Sequence, residues 1–477
     1  MNEPQLGDLE PFIKTLESFK RIDLAIEVLE EFAKYAFNYE QLDNIAKCYF
    51  KLKYYNQAIK YSEKTLAVAG NSQQIYFARF NLINVYNHAN YPEKALRYIK
   101  MNQAVIPNDI NITLENAYSH FLINKKKEAE SILNEALLTP NLSEELITKI
   151  KFNLGTYHLY RDEFQTGLRL FLEEGAKMKF WNTDTIFTRN INLNFETFER
   201  KVKAQKFIKW DGKPKPGKKL IIHAEAGIGD EIINFRFLKY IKDQRMDPYW
   251  YNSSQERKDL LSMFKRHGYN TIQSLREVDS DTEIYYVQSM HLPIVMGLEY
   301  PDLWYGSYLK PDSFYIKKWR HIKQNKPVIG IRWQGNPAYD QDLHRSVPLK
   351  QILDCFEGYD VKLVSLQKDN GLEEIDDRIL DLSDQLNSWE DTLGLMSNLD
   401  LVITSCTSVA HASGAAGFPT VVMVPISAYY VWSHSMEQSP WYGNHVTLCR
   451  QEKPRVWDEP IKKLLQIIKQ RFSHEAR

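Results

Sequence analysis

The stretch Lys219–Ile241, KLIIHAEAGIGDEIINFRFLKYI, decides how the second half of this chain folds. KLIIHA is a short apolar strand, AEAGIGDE a tight glycine turn, and IINFRFLKYI an amphipathic helix. Working downstream, further strand-like runs are DPYWYN, EIYYVQ, PVIGIRW, VKLVSLQ, DLVITS and PTVVMVP, separated by polar turns or helical stretches. Strand, turn and helix in alternation imply parallel sheets covered by helices, and this much of it makes two such lobes.

Upstream of Lys219 the period is different. Small residues follow an aromatic or charged turn at Ala25, Ala58, Ala95, Ala129 and Gly167, a spacing close to the ~34 residues of a helix-turn-helix repeat. The surrounding segments, such as NIAKCYFKLKYYNQAIKYSEKTL and NLINVYNHANYPEKALRYIKMN, each read as two helices joined by a short turn. A small residue on the second helix lets the pair approach within ~8–10 Å. Pro107 and Pro140 fall near repeat ends, where a helix must stop. Residues 10 to 180 resemble the tetratricopeptide repeat family, which implies a solenoid with a concave surface for peptides or partner proteins. The segment KVKAQKFIKWDGKPKPGK, Lys201–Lys218, has no periodicity and reads as a connector. The expected domains are therefore 1–200 (repeats), 201–217 (linker), 218–320 and 321–477 (two lobes).

Bulk composition agrees with a packed multidomain protein. The chain has 477 residues, 61 Lys plus Arg against 61 Asp plus Glu, and 13% aromatic residues, so no overall field draws in nucleic acid or an anionic membrane. Four cysteines, Cys48, Cys355, Cys406 and Cys449, form no paired or metal-ligand spacing. The N-terminus lacks a signal-peptide pattern, and the most apolar stretch, Gly414–Ala428, is too short to span a bilayer, so a cytoplasmic location is expected.

Three stretches carry candidate chemistry. In the first, Gly227 and Gly229 allow close approach of a ligand or simply make a tight turn, and Asp230 is either a helix cap or a reactive carboxylate. The dinucleotide fingerprint fails there, because Ile232 stands where the last glycine is needed. In the second, Gly330–Pro337 followed by Asp342–Leu349, Arg345 and Ser346 supply a charge and a hydroxyl suited to pyrophosphate. The third is DLVITSCTSVAH, Asp400–His411, where a strand runs into hydroxyl-bearing residues at a helix start; Thr407 and Ser408 are set to bind phosphates. His411 is either a satisfied structural histidine or a ligand contact.

Together the GIGDE turn, RWQGNP with HRSVPL, DLVITSCTSVAHASGAAGFPT and SPWY resemble the bacterial heptosyltransferase-like glycosyltransferases, in the branch where that domain follows tetratricopeptide repeats. The resemblance spans about residues 218 to 470. It implies a GT-B fold: two Rossmann-like lobes, acceptor on the first, nucleotide-diphosphate sugar on the second, and no metal or other cofactor. It implies Asp230 as general base on an acceptor hydroxyl, Arg345 on the donor diphosphate, and Thr407, Ser408 and His411 at the phosphate-binding helix start. Gly229, Arg332, Gln334, Asn336, Ser346, Gln367 and Val409 complete the expected donor-binding set. Cys406 stands where many relatives carry aspartate, and burial is the preferred reading of it over a nucleophile. Trp432, Trp441 and Tyr442 either close over the donor or support their loop. The C-terminal helix, with its apolar face at Ile461, Leu464, Leu465, Ile468 and Phe472, is expected to pack back toward the first lobe. The function implied is a glycosyltransferase whose repeats recruit an acceptor protein or glycan, or a partner. The alternatives are a non-catalytic repeat scaffold and a nucleotide-sugar epimerase on the same plan.

Overall fold

The computed structural model of the chain describes residues 9–19, 21–178, 206–278, 283–323, 325–337, 339, 342–368 and 370–473. The chain divides into two compact units, 1–141 with 452–455, and 142–451 with 456–477. The first unit consists of helical hairpins. Their helices are α1 (Leu9–Ser18), α2 (Ile22–Ala33), α3 (Tyr39–Lys51), α4 (Tyr55–Ala67), α5 (Ser72–His88), α6 (Pro92–Gln103), α7 (Ile110–Leu122) and α8 (Lys126–Ala136).

The repeat is visible in its start and stop signals. Asn38, Asn71 and Asp109 cap α3, α5 and α7, each side chain accepting a backbone N–H of the first turn. The turns within these hairpins share one device. Lys53, Asn90 and Asn124 adopt left-handed φ of +63° to +64°. In each the next residue's N–H reaches back to close the helix: Tyr54 to Tyr49 at 2.9 Å, Tyr91 to Tyr86 at 2.7 Å and Lys125 to His120 at 2.8 Å. The second helix leaves directly from that turn and carries no side-chain cap. Ala25, Ala58, Ala95 and Ala129 are fully buried, as the repeat spacing predicts.

The second unit opens with one more hairpin, α9 (Glu144–Tyr160) and α10 (Phe164–Lys177), with Ser143 as cap and Asp162 in the same left-handed turn. At its crossing, a methyl group on Gly155 would lie 2.9 Å from the Gly167 carbonyl, and one on Gly167 would lie 2.8 Å from that of Gly155. Two backbones meet there with no room for a side chain. Glycine at 167, a departure from the alanine of the other hairpins, follows from that contact.

Two sheets follow. The first contains β1 (Lys206–Lys209), β2 (Lys219–His223), β3 (Asp247–Tyr251), β4 (Asn270–Ile272) and β5 (Glu283–Gln288), in the order β1-β5-β2-β3-β4 and parallel throughout. The second contains β6 (Val328–Arg332), β7 (Lys362–Ser365), β8 (Ile379–Leu380), β9 (Leu401–Ser405), β10 (Thr420–Val424), β11 (Gln438–Ser439) and β12 (Gly443–Arg450). Its order is β11-β12-β10-β9-β6-β7-β8, parallel except for the β11–β12 pair. Central strands such as β6, β9 and β10 are buried along their whole length, as helices on both faces require. These are two Rossmann-like lobes, the GT-B plan, following helical hairpins.

Three expectations change, two of them about boundaries. The connector expected at 201–217 contains β1, whose KFIK pairs in parallel with β5; residues 201–205 lie outside those described. The compact division falls at 141/142 rather than near 200, because α9 and α10 share the core of the lobes. Phe164 packs on Tyr300 and Trp441 with ring centroids 4.7 and 5.7 Å away, and Phe171 on Tyr430 at 5.6 Å. Gln165 donates to the carbonyls of Pro293 (3.0 Å) and Leu298, while Tyr160 donates to the Ile426 carbonyl at 3.2 Å, so one hairpin grips both lobes. Finally, among the described residues the C-terminal helix Asp458–Phe472 packs on the second lobe, not the first. Its Leu464, Ile468 and Phe472 join Ile329, Ile331, Ile403 and Cys449 in the core beside the second sheet, and Arg471 donates to the Asp400 carbonyl. Among the described residues no helix is long and apolar enough to cross a membrane.

Candidate active site

In an open parallel sheet, ligands collect beyond the carboxyl ends of the strands, where the strand order reverses direction. The first sheet reverses between β2 and β5, the second between β6 and β9. The turns after these strands face one another.

On the first wall, β2 passes into the helix Ile228–Phe235 through Glu225, Ala226 and Gly227. Ala226 is held at φ +60°, a costly conformation for a residue with a side chain, which forces the sharp exit from the strand. Asp230 caps this helix: one carboxylate oxygen accepts the Gly227 N–H at 3.0 Å. The capping role weighed from sequence is therefore real, but it uses only one oxygen. The other accepts the Tyr429 hydroxyl at 3.0 Å, and Tyr429 belongs to the opposite wall, after β10. Burial raises the Asp230 carboxyl to about 6, against the lowering effect of these two hydrogen bonds. Burial, then the Asp230 charge, pushes the Tyr429 hydroxyl well above its ordinary range, so it remains a donor.

On the second wall, β9 runs through Cys406 and Thr407 into the helix Ser408–Ala416. Thr407 is the N-cap but makes no side-chain cap; its hydroxyl instead lies 3.2 Å from that of Thr404. The first turn thus lacks the side-chain acceptor that a threonine in this place commonly supplies. Arg345 reaches across the β6–β9 crevice: Nε donates to Asp342 at 2.7 Å and Nη1 to the Cys406 carbonyl at 2.8 Å, with the guanidinium 4.6 Å from the Tyr339 ring centroid. Gly335 makes room for it, since a methyl group there would lie 2.1 Å from Nη2. Burial pushes the Cys406 thiol up to about 12, and its Sγ donates to the Met423 carbonyl at 3.5 Å, in keeping with a small buried residue.

The walls touch. A methyl group on Gly229 would lie 2.8 Å from His411 Cδ2 and 3.6 Å from Ser408 Cα, so only glycine permits the helix starts to approach this closely. His411 stacks on Trp432 at 5.1 Å and pairs through Nδ1 with the Tyr442 hydroxyl at 2.8 Å. Burial, then the charges of Arg236 and Arg345, lower it to about 3, so the ring is neutral. It offers a hydrogen-bonding edge rather than a cation.

Gly229, Asp230, Ser408 and His411 are thus brought together, with Thr407 and Arg345 beside them. Arg332 ends β6 next to Thr404, its guanidinium donating to the Leu366 carbonyl at 3.3 Å. Other residues of the expected donor set point elsewhere. Gln367 is fully buried, accepts the Gln334 N–H at 3.3 Å and donates to the Asn370 carbonyl; the Gln334 side chain donates to Glu374. These amides tie two loops together. Ser346 donates to the Asp342 carbonyl at 3.0 Å, the Val409 side chain is core, and Asn336 lies in an exposed loop. Trp432, Trp441 and Tyr442 are fully buried and support the interface between the walls.

Sequence reasoning passed over Arg236, Tyr429 and Glu225. Arg236 is fully buried and, among the described residues, has no carboxylate partner; it donates to the carbonyls of Ile233, Leu303 and Trp441 and to Tyr308, and lies 4.7 Å from the Tyr442 ring centroid. It pins the first lobe to the SPWY segment. Tyr429 carried no signal beyond standing in an aromatic run. Glu225 did: a charged residue at the buried end of an apolar strand demands an explanation.

The class of protein set out by these observations is a helical-hairpin repeat chain joined to a two-lobed α/β domain whose lobes confront each other across their strand ends. Among solved structures it is similar to a glycosyl transferase family 9 protein from Veillonella parvula (9% identity, 56% of this chain and 100% of that chain, TM-score 0.39). It is also similar to an O-GlcNAc transferase from Thermobaculum terrenum (11% identity, 91% of this chain and 92% of that chain, TM-score 0.31). A third is a tetratricopeptide repeat protein from Thermus thermophilus (18% identity, 36% of this chain and 91% of that chain, TM-score 0.28). No protein-family model and no curated protein matches the sequence.

Proposed function

We propose that this chain is a glycosyltransferase that moves a sugar from a nucleotide-diphosphate donor to an acceptor hydroxyl, with the hairpin repeats recruiting the acceptor or a partner. The observation that carries the reading is the confrontation of Asp230 and Gly229 on one wall with Ser408, His411 and Tyr429 on the other. In the transfer, the acceptor oxygen bonds to the anomeric carbon as the bond from that carbon to the diphosphate oxygen breaks, and the diphosphate leaves with the electron pair. Asp230 takes the hydroxyl proton, and its raised range near 6 suits a base working close to neutrality. Backbone N–H groups of the Ser408 helix start and the Arg345 guanidinium offset the charge gathering on the diphosphate. Neutral His411 adds a hydrogen bond without repelling Arg345.

The test is release of nucleoside diphosphate from a panel of nucleotide-diphosphate sugars, with and without candidate acceptors. Asp230→Asn is expected to lower turnover roughly 10²–10⁴-fold, the usual worth of a positioned base. Turnover equal to wild type in that variant removes Asp230 from the chemistry.

A further inference from the structure

The reversal point of the first sheet holds a carboxylate with no assigned use. Glu225 follows β2; its side chain is 4% exposed, and among the described residues neither carboxylate oxygen has a hydrogen-bond partner. A buried carboxylate in that condition is expensive unless something donates to it. Asp230, a turn later, has donors on both oxygens, so the two acids are not equivalent. Across the β2–β5 crevice, the Glu225 N–H donates to Ser289 Oγ at 3.2 Å, and His291 Nδ1, also without a hydrogen bond, stands 3.9 Å from Glu225 Oε2. His223 and Gln288 stand in register at the ends of β2 and β5, the strands that flank this crevice, and add residue types that both donate and accept. Glu225 lies in the same strand-to-helix turn as Asp230, and Tyr430 of the opposite wall feels the charge of both.

We infer that Glu225, with His291, is the acceptor-gripping site, and that its ligand is a saccharide presenting two neighbouring hydroxyls. A carboxylate with both oxygens free accepts two donors at once; a sugar ring carries such a pair, whereas a serine or threonine side chain carries one. A guanidinium or ammonium ligand would want a lining of acceptors only, and the imidazoles, hydroxyl and amide here are mixed. Calling the ligand the acceptor rests on the transferase reading; the site itself does not. The Ala226–Gly227 turn beside it is exposed.

The experiment titrates the full chain by NMR with methyl glucoside, methyl galactoside and methyl mannoside, and with a serine/threonine peptide, in wild type, Glu225→Gln and His291→Asn. Wild type is expected to bind at least one glycoside saturably, Glu225→Gln at least tenfold more weakly and His291→Asn several-fold more weakly. Glu225→Gln is also expected to raise the melting temperature of the ligand-free protein by about 2 °C, because among the described residues its carboxylate oxygens have no hydrogen bond to lose; a purely structural glutamate moves stability the other way. No glycoside binding to wild type, binding to the peptide instead, or undiminished glycoside affinity in Glu225→Gln overturns the inference. Should Glu225→Gln fail to fold, His291→Asn decides by the same affinity criterion. Nucleoside diphosphate binding is measured alongside: its absence, with glycoside binding still lost in Glu225→Gln, sinks the transferase reading and leaves this site standing.

Discussion

Asp230 stores a cost. Burial disfavours the charged form and raises its carboxyl from an ordinary 3.8 to about 6 in the folded chain. For an acid raised by folding, the stability it contributes is fully present below the unfolded value and is lost as pH rises through the folded one, here from about pH 4 to above 6, amounting to about 3 kcal/mol. Asp230→Asn is therefore expected to melt higher than wild type at pH 8 and to show no such gain at pH 4. A variant less stable than wild type at pH 8 would mean that the Gly227 and Tyr429 hydrogen bonds outweigh desolvation. His411 and His434, both lowered to about 3 by burial, act in the opposite sense: their contribution is present above their unfolded range and fades as pH falls below about 6.5. Comparing variant with wild type at each pH cancels that background.

At the scale of elements, the last hairpin is a structural part of the lobes and not merely the end of the repeats. Phe164 and Phe171 are buried among Tyr300, Trp441 and Tyr430, and Phe171 also meets Tyr429, the donor to Asp230, at 6.1 Å between ring centroids. A chain truncated to begin at residue 142 is expected to fold with a cooperative melt. One beginning at 206 should expose these aromatics and lose several kcal/mol, the scale of two buried phenylalanines; equal melting temperatures would contradict the assignment. Much of this was legible from residues. The seven strand runs and the five small positions of the repeat appear where the residues put them, because burial of one or both sheet faces or a close helix crossing leaves few other choices. What escaped has physical reasons too. KFIK at 206–209 is half charged and becomes a strand only through the partner β5. The turn that closes each hairpin rests on a left-handed residue, which lysine at 53 does not advertise. The C-terminal helix shows an apolar face but not which surface receives it.

Over the whole molecule, the site depends on two turns, far apart in the chain, approaching so closely that Gly229 has room for no side chain against His411. Sequence showed each turn separately, and it named Asp230, Ser408 and Arg345. It did not show that Tyr429 completes Asp230 or that Gln334 and Gln367 satisfy each other's loops, since those are tertiary contacts with no local pattern. On the proposed function, donor binding falls to the second wall and proton transfer to the first. The direct measurement is calorimetric titration of nucleoside diphosphates into wild type, Arg345→Ala and Asp230→Asn. The account predicts binding to wild type, affinity at least tenfold weaker in Arg345→Ala, and near-normal affinity in Asp230→Asn. No binding to wild type, or affinity in Arg345→Ala equal to wild type, would contradict it.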